Sequence, residues 1–117
     1  MFSALRIRSQ ARDEETDTLR FRQLFRTLDE LETALHRERR GLKERCERVA
    51  ATAAFAQERY ESHRREGELS TRIDDMTHSM KNYARRMEAL QRQIHLIGQL
   101  RLTAEGFAVD RGANPAS

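Results

Sequence analysis

From Leu69 to Ile97 an apolar side chain recurs at steps of alternately four and three residues: Leu69, Ile73, Met76, Met80, Tyr83, Met87, Leu90, Ile94 and Ile97. A mean spacing of about 3.5 residues keeps one narrow stripe of an α-helix turned toward a neighbouring helix. A stripe of this kind is not stable alone, so the segment demands a second helix along its length. No long alternating run of Val, Ile or Thr supports a strand. Apolar residues make up 38% of the chain, charged residues 35%, and Trp is absent. That composition is too polar for a deep globular core and too periodic for disorder, which leaves helices sharing a thin seam. The fold class read from the sequence is all-α.

The partner stripe lies upstream. Ser9 is placed to cap a helix starting between Ser9 and Thr16, with Asp13, Glu14, Glu15 and Asp17 in its first turns, where negative charge complements the exposed amide dipoles. From there a seven-residue series runs Phe21, Leu28, Leu35, Leu42, Val49, Ala56. Its companions change midway. Leu24 and Leu31 follow their partners by three residues, whereas Cys46, Ala53 and Tyr60 follow by four, which predicts a seam that drifts around the helix. The register crosses Gly41 unchanged, and one helical glycine costs only about 1 kcal/mol, so the helix is expected to continue through it.

Between Glu61 and Glu68 the sequence ESHRREGE lacks large apolar residues, contains Gly67 and separates two stripes that are out of phase. These features together predict a turn near 62–69 and an antiparallel two-helix coiled-coil hairpin, working as an oligomer. Ser70 or Thr71 is expected to cap the second helix, with Thr71 and Asp74 forming a variant capping box. The alternative is one unbroken rod of about 90 residues that pairs with another chain. The second helix is expected to end near Glu105, with Gly106 in a left-handed C′ position and Leu102 touching Phe107 in a Schellman ending. The resulting organisation is a basic segment 1–12, a hairpin 13–105 and a flexible tail 106–117.

Folding at residue 66 or 67 pairs positions whose numbers sum to roughly 133. Met87 then lies near Cys46, Met80 near Ala53, and the second helix reaches back only to about Leu28. Residues 13–27 are expected to project beyond the hairpin. Phe21, Leu24, Phe25 and Leu28 become a patch for a protein partner or a second copy.

Chemistry is sparse in this sequence. His36, His63, His78 and His95 do not form HExxH or a histidine–cysteine set, and no glycine-rich phosphate loop or GxSxG occurs. No catalytic, cofactor-binding or metal-ligating residues are therefore assigned, and an enzyme is not expected. Cys46 is the single cysteine, which favours a reducing compartment and a packing role. No stretch is apolar enough for a signal peptide or a transmembrane segment, so a cytoplasmic location is expected. Peripheral membrane contact through Phe2, Leu5 and Ile7 is the alternative. The net charge is +3, and Arg greatly outnumbers Lys. The pairs Arg39–Arg40, Arg64–Arg65 and Arg85–Arg86, with Arg48, outline a band for nucleic acid. Interspersed Glu38, Glu44, Glu47 and Glu88, and the lack of stacking aromatics, make nucleic acid the lesser partner.

Ala4-Leu5-Arg6-Ile7-Arg8, the acidic start Asp13-Glu14-Glu15, the Arg-, Glu- and Gln-rich hairpin and the Leu90–Leu102 segment together resemble the small coiled-coil stalk proteins of the flagellar and type III secretion export ATPase. The resemblance implies a cytoplasmic adaptor that contacts an ATPase ring and substrate chaperones without catalysis of its own. The expected function is a non-enzymatic helical-hairpin adaptor or chaperone. The alternatives are a nucleic-acid-associated coiled-coil regulator using the Arg band and a structural homodimer.

Overall fold

The computed structural model describes residues 9–63 and 67–110, with side chains over 9–59 and 70–108. Two helices, α1 (Gln10–His63) and α2 (Glu68–Asp110), pack against each other as an antiparallel hairpin. α1 starts inside the 1–12 segment. The Ser9 carbonyl accepts the Asp13 amide at 3.0 Å, and its Oγ accepts the Arg12 amide at 3.2 Å, which makes Ser9 the N-cap. The helix then runs through Gly41 without a break.

The reversal uses Gly67, whose φ of 80° lies in the left-handed region that only glycine enters freely. Its carbonyl accepts the Thr71 amide at 2.8 Å, so Gly67 itself is the N-cap of α2. This corrects the expected cap at Ser70 or Thr71. Both residues lie within the first turn, where their own backbone is already helical, so neither has the non-helical conformation of a cap. Residues 64–66 of the expected turn lie outside the described residues.

α2 does not stop near Glu105. It continues to Asp110, and among the described glycines only Gly67 has positive φ, so Gly106 is an ordinary helical residue. The Phe107 ring packs on Phe21 with centroids 5.3 Å apart, in place of the expected contact with Leu102. An aromatic pair contributes about 0.5–1.5 kcal/mol beyond its buried area, enough to offset the roughly 1 kcal/mol cost of a helical glycine. Residues 1–8 and 111–117 lie outside the described residues.

The chain divides into two compact units. The first combines residues up to Thr33 with those from His95 onward. Phe25, Leu28, Ile97 and Ala108 are buried in it, and Phe21, Glu32, Arg101 and Ala104 are half-buried. Small side chains at Ala104 and Ala108 leave room for the rings of Phe21 and Phe25. Arg101 donates to Asp29 and, at 3.4 Å, to Glu32. The overhang expected for residues 13–27 is therefore much shortened. Phe107 meets Phe21, where a fold at residue 66 or 67 would have set residue 26 opposite, and the added length of α2 brings it alongside residues 18–27.

The second unit, Ala34–Ile94, buries Leu42, Ala56 and Leu90. Leu90 is completely enclosed. Cys46, Val49 and Ala53 on α1 and Ile73, Met76, Met80, Tyr83, Met87 and Ile94 on α2 are half-buried. Long, adaptable methionines opposite short side chains are how a seam this thin fills its volume. The Leu69 side chain lies outside the described residues.

The seam of α1 also departs from the expected drift. Its inward companions are Phe25 and Glu32, four residues after Phe21 and Leu28, just as Cys46 and Ala53 follow Leu42 and Val49. Leu24 and Leu31, expected in the seam, are exposed. The guanidinium of Arg101, received by Asp29 and Glu32, makes an inward glutamate tolerable where leucine would otherwise be favoured.

Candidate functional site

The four residues expected to form a partner patch do not share one environment. Phe25 and Leu28 are core, Phe21 is half-buried against Phe107, and Leu24 alone is exposed. As an uncovered surface that patch does not exist, because α2 lies along it. A different apolar face takes its place in the same unit.

Its geometry follows from helical phase. Take the direction of the buried residues on each helix as inward. At about 100° per residue, Leu24 and Leu31 are turned roughly 80° to one side of the α1 seam. On α2, Leu96, Leu100 and Phe107 are turned about 100° from the line of Ile97, Arg101, Ala104 and Ala108. The two rotations have the same sense. For two antiparallel helices facing each other, equal senses lead to the same side of the pair. Leu24, Leu31, Leu96, Leu100 and Phe107 therefore form two adjacent rows on one face, each residue between 41% and 54% exposed. Asp29 lies on the opposite side, where it receives the guanidinium of Arg101 from the seam.

The intervening residues on this face are Thr27 and Thr103. Each donates its hydroxyl to a carbonyl of its own helix, Gln23 and Gln99 respectively, at 3.0 Å. Their hydroxyls are thus already satisfied, and their methyl groups add to the apolar surface. Arg20 at the margin lies 3.8 Å from Asp17. Between Leu24 and Leu31 on α1 and from Leu96 to Phe107 on α2 the face carries no charge, and Arg20, at the same phase, stands at its end beside Phe107. The sequence carries its own signal for this face. Leu96, Leu100, Thr103 and Phe107 follow a four-three-four spacing of their own, one residue out of step with the buried line.

The remaining candidate chemistry is dispersed. Among the described residues no group of His, Cys, Asp and Glu is placed to hold a metal ion, and no helix is long and apolar enough to cross a membrane. His36, His78 and His95 are exposed, and Cys46 is half-buried and reduced. Of the basic band, Arg48 and Arg85 are exposed. Arg86 is held in a two-pronged pair with Glu38, Nε to Oε2 at 2.7 Å and Nη2 to Oε1 at 3.1 Å. This pair neutralises one of the guanidinium groups that a phosphate would need.

The hydrogen bonds from Arg86, with its charge, hold the Glu38 carboxyl below its ordinary pKa. A lowered pKa in the folded chain means that the contribution is present above the ordinary carboxylate range and is lost as pH falls through the folded value. Glu38→Gln should accordingly lower the melting temperature slightly at neutral pH, and the deficit should vanish as pH falls through the lowered Glu38 value and the wild-type carboxyl becomes protonated as well. Thermal melts of both proteins at neutral pH and below that value test this. An equal deficit at both would assign the loss to packing.

No family model, curated protein or solved structure matches this chain. The functional reading therefore stands on the surface just described.

Proposed function

We propose that this chain is a non-enzymatic helical-hairpin adaptor that works through protein–protein contacts of its helix surfaces. The observation that supports the reading is the uncharged double row Leu24, Leu31, Leu96, Leu100 and Phe107, which the hairpin leaves about half exposed. Single exposed leucines are ordinary on a protein surface, whereas two adjacent apolar rows on one face make a contiguous surface of the kind that often serves binding. Residues that supply only packing have no need to project on the side away from the seam. The resemblance to export-ATPase stalk proteins supplies one concrete partner class, a secretion ATPase with its substrate chaperones.

Substituting Leu31→Glu together with Leu100→Glu puts two charges into the face without touching the seam. The variant should keep its helical circular dichroism while capture of protein partners from native lysate falls at least about tenfold, since each desolvated charge opposes docking. Nuclease treatment should leave wild-type capture unchanged. Capture that survives the double substitution would remove this face from the function, and capture lost on nuclease treatment would move the reading to the Arg-bearing surface.

A further inference from the structure

The second unit carries concentrated charge that the adaptor reading leaves unused. Residues 36–48 of α1 and 80–92 of α2 face each other in the hairpin over about 18 Å of helix, joined by the Arg86–Glu38 pair. They hold ten basic residues and four acidic ones. The excess of six exceeds the +3 of the whole chain, so the rest of the chain is net acidic. This charge is not spread evenly around the pair. With Leu42 and Val49 inward on α1, Arg45, Arg48 and Arg37 are turned about 50°, 110° and 130° to one side. With Met87 and Leu90 inward on α2, Arg86 and Asn82 are turned about 70° and 110° in the same sense, and so share that side. Its one acid is Glu38, which Arg86 already holds. The outer faces mix both signs, Arg40 with Glu44 and Glu47 on α1, and Lys81, Arg85 and Arg92 with Glu88 on α2. The opposite side holds two basic residues, Arg39 and Lys43.

Arg37, Arg45 and Arg48 are exposed, and none forms an ion pair or side-chain hydrogen bond with another described residue. With Gly41 they make one stripe of α1 about 17 Å long. A Cβ built on Gly41 meets nothing within 4 Å, so no side chain fills the gap between Arg37 and Arg45. Three unspent guanidinium groups in line suit an extended polyanion, to whose phosphate oxygens each presents a two-pronged donor fork. Duplex DNA meets the stripe with one phosphate charge per about 1.7 Å of its axis. Single strands fit less well, because neither stretch has an exposed aromatic ring for bases to stack on. A lipid surface fits less well too, since no large apolar side chain is exposed beside the arginines. Proteins tell RNA from DNA by the 2′-hydroxyl, a donor and an acceptor, whereas a guanidinium supplies donors only. We infer that the Arg37, Arg45 and Arg48 side of the second unit binds the phosphate backbone of duplex DNA without reading its sequence. It uses none of the leucines on which the adaptor reading stands.

Fluorescence anisotropy of a labelled DNA duplex, titrated with the purified full chain, tests it. Three phosphate contacts give a slope of log affinity on log salt of about −2.7, a fall of about 40-fold between 50 and 200 mM salt. Such a contact is weak at the ionic strength of a lysate, so capture of protein partners stays independent of nuclease. Arg45→Gln with Arg48→Gln should bring the slope to about −1 and weaken binding at 50 mM salt at least about tenfold. Glutamine matches arginine in helix propensity, so the circular dichroism of the variant should be that of the wild type. Arg39→Gln with Lys43→Gln, which removes the same charge from the opposite side, should keep the wild-type slope. Absence of binding by the wild type, or equal weakening by the two double variants, overturns the proposal. Displacement of the DNA as readily by polyglutamate of equal charge, by anionic vesicles or by an RNA duplex overturns it as well. Each of these results leaves the capture dependent on Leu31 and Leu100 untouched, so this proposal and the adaptor reading fail separately.

Discussion

Phe25→Ala is expected to lower stability by about 3–5 kcal/mol, the range for deleting a buried aromatic side chain, whereas Leu24→Ala next to it should cost about 1 kcal/mol or less. The contrast between adjacent residues is the point of the experiment. Phe25 is 5% exposed and lies in the seam with Leu28, Ile97 and Ala108, while Leu24 is turned to the open face. Small domains have only about 5–15 kcal/mol in total, so the Phe25 variant would keep a marginal first unit. At roughly 3–6 °C per kcal/mol for a chain of this size, its melting temperature should fall by on the order of 10–25 °C. Melts followed by circular dichroism in dilute solution, where association between chains adds little, read this directly. Equal losses for the two variants, or a larger one for Leu24, would restore the overhanging helix that the sequence predicts and contradict the continuation of α2 along α1.

How far the sequence discloses this fold depends on which physical signal is consulted. The Leu69–Ile97 stripe, the unbroken register across Gly41 and the turn at Gly67 rest on strong local rules, and the hairpin follows from them. The sequence misleads where the size of a side chain stands in for its burial. Leu24 and Leu31 look like seam residues because they are large and apolar, yet Phe25 and Glu32 point inward. The decision belongs to α2, which presents Arg101 between Ile97 and Ala104 and so requires carboxylates across from it. A local reading of α1 holds no information about that guanidinium. The end of α2 is illegible in the sequence for a related reason. Gly106 satisfies the pattern of a helix stop, but the contact of Phe107 with Phe21 is non-local and outweighs a modest propensity cost. The candidate face follows from both corrections. Once the leucines are removed from the seam, they have nowhere to point except outward.

Gly41, Gly98 and Gly106 lead to the opposite kind of prediction, a gain. All three are interior to helices, none has positive φ, and a Cβ built on each meets nothing within 4 Å. Alanine at such a position is favoured by about 0.8–1 kcal/mol, chiefly because the unfolded chain loses freedom. The sites are separated by at least eight residues, about 12 Å of helix, so their effects should add to about 2–3 kcal/mol. The triple variant should melt on the order of 8–15 °C higher than the wild type. Gly67→Ala should move the other way by about 1–2 kcal/mol, since the left-handed conformation is costly for any residue with a Cβ. The sign at Gly106 decides between two structures of the C-terminal segment. Were Gly106 the left-handed residue that ends α2, alanine there would destabilise like alanine at Gly67. As a mid-helical residue, it stabilises like alanine at Gly41, and the helix carries Phe107 and Ala108 on to the positions where they pack in the first unit.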